Sequence, residues 1–306
     1  VRPSELSTAE RLRRVFQDRG ATSIKFGQLL ATRPDLVPAE YVEAFSKLQD
    51  AVDPLPTDEI RKTIADRLGQ PTTEIFSTFE ETPVASGSIG QVHYATLRNG
   101  QEVVVKVKRP GTDQRVRRDL DLLAGLARLV DDHLPEVRVL RPRMVVEEFA
   151  RCMERELDFV GEASYTAKFG KTFAEDATVV VPKVHWDYVT RDTLVLDRMK
   201  GTRLTDRKTL EASGIDRKQL AQTMGRCFMR QYFVSGFFHS DPHPGNLFVH
   251  SADRVGIIDF GQMGHLSDEL RRQLSLTLLA LAHGNTDFIV DVYTDIGMFT
   301  EETNLR

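Results

Sequence analysis

The stretch His239-Ser240-Asp241-Pro242-His243-Pro244-Gly245-Asn246, followed further on by Asp259-Phe260-Gly261, decides how this chain is to be read. Two carboxylates and a side-chain amide stand around two short runs with strand character, Leu247-Phe248-Val249 and Val255-Gly256-Ile257-Ile258. Phosphoryl transfer asks a protein mainly for position and charge. One carboxylate orients or accepts the proton of the attacking hydroxyl, while a second carboxylate and an amide oxygen hold magnesium against the nucleotide phosphates. Asp241, Asp259 and Asn246 fit those three jobs.

The spacing from Asp241 to Asn246 is that of the protein-kinase catalytic loop, and the Asp-Phe-Gly triplet is present literally. Either piece alone is weak, since Asp-Phe-Gly recurs by chance and Asp-Pro-His also fits an ordinary turn. The ordered pair, each beside a short strand, is what carries weight. His239, Asp241, His243 and His250 also invite a metal-site reading. The alternative is that His239 anchors the loop, while His243 stands where protein kinases carry a phosphate-contacting lysine, as in phosphotransferases for small molecules.

Upstream, Lys106 lies in the run Val103-Val104-Val105-Lys106-Val107. A buried ammonium is costly unless paired, so Lys106 is expected to meet both an anion, the α and β phosphates of a nucleotide, and a carboxylate. The plainer alternative is an edge-strand lysine facing solvent. The carboxylate is expected from the helix carrying Glu154, Glu156, Asp158 and Glu162, although positions two apart do not share a helix face and a solvated acidic face competes. Ahead of Lys106, Ala85-Ser86-Gly87-Ser88-Ile89-Gly90-Gln91 is a small-residue turn that lets backbone amides approach phosphates. It lacks the full Gly-x-Gly-x-x-Gly spacing, and an ordinary hairpin loop fits it equally well.

Working outward, 306 residues exceed what one compact core usually absorbs, which predicts a two-lobed body. Hydrophobic residues at 41% and charged residues at 28% are ordinary globular usage, which excludes disordered and fibrous classes. A net charge of −4 gives no general attraction to phosphate backbones, so nucleic acid is not an expected partner. Cys152 and Cys227, without paired spacing, read as buried free thiols in a reducing compartment. No stretch approaches the roughly 20 apolar residues of a membrane span, and Leu276 to Ala282 reads as part of a core helix. The beginning at Val1-Arg2-Pro3-Ser4 has neither an initiator Met nor a signal-peptide pattern, as expected of an excised fragment. A cytoplasmic location is expected, peripheral to a membrane or anchored by a segment outside this stretch.

Prolines punctuate an opening helical region: Thr8 caps a helix to Gly20, a second runs through Lys25 and Gln28 to Pro34, and two more start near Pro38 and Pro56. Alternation begins near Phe79, and Asn99-Gly100 between Gln91–Thr96 and Val103–Val107 predicts a tight hairpin with positive φ at both turn residues. Helices follow from Arg115 to His133 and from Arg143 to Lys171, then strands at Val179–Val181 and Thr193–Leu196. The expected domains are 1–75, a helical extension; 76–200, a small sheet lobe with the Glu-rich helix; and 201–306, a helical lobe with the catalytic loop, hinged near Lys200-Gly201.

Lys25-Phe26-Gly27-Gln28, the Ala85–Gln91 loop, Lys106, Glu156-Leu157-Asp158 with Glu162-Ala163, His239 to Asn246 and Asp259 to Gly261 together resemble the UbiB (AarF, ADCK) family of atypical kinases. The match runs from about Lys25 to Gly264. The resemblance implies an α+β, bilobal protein-kinase-like fold with an N-terminal helical extension over the cleft. It implies ATP or ADP with Mg2+ as cofactors, and ATPase or phosphotransfer activity tied to membranes, isoprenoid quinone biosynthesis or lipid homeostasis rather than ordinary protein phosphorylation. By position, Lys25 and Gln28 belong to an extension occluding the usual substrate site, Glu156 with Asp158 is its acidic counterpart, and Glu162 pairs with Lys106. Ala85, Ser86, Gly87, Ser88 and Ile89 would line the nucleotide. The family's loop is alanine-rich where this chain has Gly87, which bears on ATP against ADP preference. After Gly261, Gln262 to Ser267 leads almost at once into a helix, without the long segment ending in Ala-Pro-Glu on which protein kinases dock peptides. The expected partners are a nucleotide and a lipid or isoprenoid-quinone precursor at a membrane surface. A small-molecule phosphotransferase and a nucleotide-gated scaffold with little turnover are the alternatives.

Overall fold

The computed structural model describes residues 7–48, 52–133 and 141–284, with positions 288, 290, 292 and 294 beyond them. The proline punctuation gives α1 (Thr8–Arg19), α2 (Ala21–Ala31), α3 (Ala39–Phe45) and α4 (Thr57–Leu68), the last two starting directly after Pro38 and Pro56. The cap of α1 is Ser7, not Thr8: the Glu10 N–H donates to the Ser7 hydroxyl at 3.2 Å, and Thr8 is already helical. The second helix stops at Ala31, short of Pro34.

After the single turn α5 (Thr72–Ile75) come β1 (Phe76–Phe79), β2 (Ala85–Ser86), β3 (Gly90–Leu97) and β4 (Glu102–Lys108), so pairing begins three residues before the alternation suggests it. Then follow α6 (Thr112–His133), α7 (Pro142–Glu156), α8 (Phe159–Thr172), β5 (Val179–Val180) and β6 (Thr193–Asp197). The first sheet has the order β1-β3-β4-β6, all antiparallel, with β2 added to β3. Period-two alternation in β4 turns Val103, Val105 and Val107 onto Ile60 and Ile64 of α4, and leaves Lys106 on the opposite face.

Two local expectations are corrected. The β3–β4 hairpin turns through three residues, not two: Gly100 N–H donates to the Leu97 carbonyl, Leu97 N–H to the Gln101 carbonyl, and only Gly100, at φ +86°, takes the left-handed conformation. That is a type I turn closed by a glycine bulge, which needs positive φ at one position alone. The helix expected from Arg143 to Lys171 is two helices. It breaks at Leu157-Asp158, where Asp158 caps α8 by accepting the Gly161 N–H at 2.9 Å.

The remaining elements are β7 (Thr202–Arg203), α9 (Arg207–Ala212), α10 (Arg217–Met229), a π-turn at Arg230–Ser235, β8 (Phe237–His239), β9 (Leu247–Ser251), β10 (Arg254–Ile257), β11 (Met263–His265) and α11 (Asp268–Ala282). The chain divides into two compact units, Val1–Ala163 with Val184–Arg198, and Ser164–Lys183 with Met199–Arg306. The first holds the helical extension and the five-stranded sheet; the second packs Phe169, Phe173, Phe237, Leu247, Ile257 and Phe260 into its core. Helix α11 is not the core helix expected: Thr277 and Ala280 are buried, while Leu278, Leu279 and Leu281 are exposed. Both cysteines are free thiols, but only Cys227 is buried and Cys152 is half-buried. No helix among the described residues is long and apolar enough to cross a membrane.

Candidate active site

In the second unit the catalytic-loop residues are built around His239, the last residue of β8 and 1% exposed. Its Nδ1 accepts the Asp241 N–H at 3.2 Å, and its Nε2 lies 3.2 Å from the Ile258 carbonyl, which can only accept. The two partners together assign the Nε2–H tautomer. The loop then closes on itself: His243 N–H donates to the Asp241 carbonyl, Asn246 N–H to the His243 carbonyl, and Asn246 Nδ2 to the Asp241 carbonyl at 3.4 Å. The His243 Nδ1 accepts the Gly245 N–H at 3.1 Å.

The same network reaches Asp259. Ile258 N–H donates to the Asn246 carbonyl, Ser240 N–H donates to the Gln262 carbonyl, and β11 pairs with β8 so that Met263 faces His239. Asp259 sits at φ +61°, a conformation that costs a non-glycine residue about 1–3 kcal/mol and persists where its surroundings force it. The forcing neighbour is Phe260, fully buried against Phe169 and the His239 ring, with centroids 4.9 and 5.6 Å away. Asp241 and Asp259 are exposed and Asn246 is partly so, and Asp259 Oδ1 accepts the Gly261 N–H at 3.4 Å.

The histidine metal reading does not fit. Both ring nitrogens of His239 are engaged within the fold, Nδ1 by the Asp241 N–H and Nε2 by the Ile258 carbonyl. Among the described residues no group of three His, Cys, Asp or Glu stands close enough to hold a metal. Asn246 and Asp259 each carry a hard oxygen donor. That suits magnesium, which keeps water and takes phosphate oxygens beside one or two carboxylates.

In the first unit, Lys106 Nζ lies 2.7 Å from Glu162 Oε2, with Glu162 5% and Lys106 28% exposed. Glu162 stands in the first turn of α8, placed there by the Asp158 cap. Phe159, fully buried, lies under two cations, 4.9 Å from Lys106 Nζ and 5.5 Å from Lys108 Nζ. Of the four acids on the expected helix, Glu162 meets Lys106, Glu156 at the end of α7 meets Lys25 at 2.9 Å, Asp158 serves as the cap, and Glu154 is exposed. Helix α2 is further held by Thr22 on Asp119, by Phe26 against Phe149 at 5.1 Å, and by Gln28 Nε2 on the Leu48 carbonyl at 3.1 Å.

The small-residue turn runs from β2 to β3, with Gly87 N–H donating to the Gly90 carbonyl at 2.9 Å. A side chain at Gly90 would bring a Cβ within 2.6 Å of the Val107 carbonyl, so the close strand approach demands glycine there. The Ser88 hydroxyl is buried and makes no hydrogen bond. Such an orphan is expensive and calls for a ligand oxygen or water, and it is the feature of this loop that fits a phosphate.

The roles of four residues are not legible in the sequence. Gln231, fully buried on the π-turn, accepts the His239 N–H at 2.9 Å; π-turns gather at functional sites. Gln91 Oε1 accepts the Leu55 N–H, which turns its amide nitrogen toward His93 Nε2 at 3.3 Å and leaves His93 Nδ1 to donate to the Glu80 carbonyl at 2.9 Å. Arg109 grips the turn itself. A buried-looking polar residue inside an apolar run was the only available signal for Gln91 and His93, and none marked Gln231.

A two-unit α+β chain with these loops has a kinase-like fold. The ABC1 atypical kinase-like domain family matches residues 47–293, and the chain belongs to that family. Among curated relatives, the "Probable protein kinase UbiB" of Marinobacter nauticus is 37% identical over 99% of this chain and 56% of its own length. That of Cellvibrio japonicus is 37% identical over 95% and 54%, and "Uncharacterized protein sll0095" of Synechocystis is 38% identical over 94% and 51%. The chain thus spans just over half the length of these relatives. A solved complex of Rv3197 with erythromycin from Mycobacterium tuberculosis is similar at a TM-score of 0.68 and 26% identity, over 95% of this chain and 73% of that one.

Proposed function

We propose that the chain binds ATP with magnesium and either hydrolyses it or transfers its phosphate to a non-protein acceptor, in support of isoprenoid quinone biosynthesis or lipid homeostasis. The observation that carries this reading is the Lys106–Glu162 pair, an ammonium held at 2.7 Å by a buried carboxylate on the sheet face away from the core. Bound MgATP would supply the transferable phosphoryl group and the metal's charge. Lys106 would bind the α and β phosphates, the Ser88 hydroxyl and the Ser88 and Ile89 amides would receive phosphate oxygens while the Gly87 N–H stays on the Gly90 carbonyl, Asn246 and Asp259 would hold magnesium, and Asp241 would orient the hydroxyl or water. The non-protein acceptor rests on the short path from Gly261 to α11, filled by β11 and the Ser267 cap. The quinone or lipid role rests on the UbiB resemblance and on the relatives' names.

The test is Asp259→Asn. MgATP should raise the melting midpoint of the parent, since a ligand that binds only the folded state stabilises it, and the variant should lose most of that shift. An undiminished shift in the variant overturns the site assignment. Incubating the parent with labelled ATP and lipid extract then separates transfer, seen as a labelled acceptor, from hydrolysis, seen as released phosphate.

A further inference from the structure

We propose that Arg109 is a positioning residue for the nucleotide loop, fastening the Ser86–Gly87 turn to the segment around Asp53 that joins α3 to α4. The proposal rests on the reading of that loop as the phosphate-binding turn. Arg109 follows β4 directly and is 9% exposed. Its Nε donates to the Gly87 carbonyl at 2.9 Å, and its Nη2 donates to the Ser86 hydroxyl and to the Asp53 carbonyl, both at 2.7 Å. Its own N–H donates to the Ile89 carbonyl at 2.8 Å. One residue therefore holds both ends of the turn that contains the orphan Ser88 hydroxyl.

The joining segment answers from its own side. Val52 N–H donates to the Ser86 carbonyl at 3.1 Å, and Leu55 N–H donates to Gln91 Oε1. Residues 52–55 thus lie along the loop like a short extra strand, and the guanidinium ties the two backbones together across them. A rigid planar fork reaches several acceptors at fixed angles, which a lysine's single ammonium does not reproduce. Glycine and serine turns are mobile unless held, and a loop ordered in advance does not lose that freedom when phosphate arrives. The buried positive charge beneath the turn also favours an anion above it. Through Arg109 the N-terminal helical extension is linked to the loop's readiness for nucleotide, at a place separate from the Lys25–Glu156 pair.

The experiment compares the parent chain with Arg109→Met and Arg109→Lys in two readouts. Amide hydrogen exchange without nucleotide should show protection at Val52 and Gly87 falling about tenfold or more in Arg109→Met, with the amides of α10 unchanged. Binding of ATP with magnesium should weaken by about tenfold in the same variant, and Arg109→Lys should recover part of both losses. Parent-like protection at those two amides, or parent-like ATP affinity in Arg109→Met, overturns the proposal. If the parent itself binds no ATP, the functional reading fails, and the exchange measurement still decides whether Arg109 fastens the loop. Should Arg109→Met not fold, Ser86→Ala removes one acceptor without emptying the buried volume. It should move both readouts in the same direction by a few-fold, and no movement in either overturns the proposal.

Discussion

The loop from Ala85 to Gln91 and the loop from His239 to Asn246 both carry candidate phosphate chemistry, yet they are held by different kinds of neighbour. The first is tied down from a distance: Leu55 reaches Gln91 across 36 positions, and Arg109 reaches Asp53 across 56. The second is held by what lies close by in the chain, Gln231 eight positions before His239 and Ile258 nineteen after it. A loop that carries its own scaffold is written compactly and has a recognisable spacing. A loop held by imported segments has a weak signature, because much of what defines it is written elsewhere.

That contrast is open to attack at each end. The largest effect is expected in the first unit from Lys106→Met, which takes from the buried Glu162 the cation 2.7 Å away. Breaking a buried pair by removing one partner costs about 3 kcal/mol or more, so the urea midpoint should fall clearly and ATP-dependent phosphate release should drop to background. Release at the parent rate would show that the distant-held half is dispensable.

A smaller loss is expected in the second unit from Gln231→Leu, which leaves the His239 N–H unpaired in the core at a cost of about 1–3 kcal/mol. Because Gln231 acts on the loop through His239, phosphate release should slow by more than ATP affinity falls. Equal losses in the two would make Gln231 a packing residue only.

The smallest effect concerns His93. Burial lowers its pKa below the usual histidine value, and its Nε2 must accept from Gln91 while Nδ1 donates to Glu80, an arrangement that suits the neutral ring. The folded chain therefore binds fewer protons there than the unfolded chain. The stabilising contribution is present above the unfolded value of about 6.5 and is lost as the pH falls below it. Between about pH 7 and about pH 5 the parent's melting midpoint should fall more than that of His93→Gln, with equal slopes excluding the effect.

Much of the architecture was legible in the residues, and the failures have physical causes. Pro38 and Pro56 announce helix starts because proline suits a position just before or at the first turn. Asn99-Gly100 marks the hairpin but not its turn type, since Asn-Gly serves both the two-residue turn and the three-residue turn with a glycine bulge, and strand register chooses between them. Periodicity alone carries the helix from Arg143 through Asp158, because helical spacing continues across the two-residue break at Leu157-Asp158 and a capping aspartate looks like any other acid until its hydrogen bond is seen. Leu276 to Ala282 was assigned to a core on composition alone, which does not say which side of a helix is covered.

By itself the sequence determined the pieces whose chemistry and support lie within a few positions of one another: Asp241 with Asn246, the Asp259-Phe260-Gly261 triplet, and Lys106 alternating with its valines. Steric and hydrogen-bonding rules act over those short distances, so spacing suffices. The local pattern left open which of four acids meets Lys106 and the resemblance named Glu162; the tertiary structure has that pair and supplies its reason, because it depends on where one helix ends and the next is capped. The tertiary structure alone brought Arg109 and residues 52–55 to the Ser86–Gly87 turn, since the partners of a buried guanidinium are selected by the packing of distant segments and by the cost of leaving any of its donors unmet.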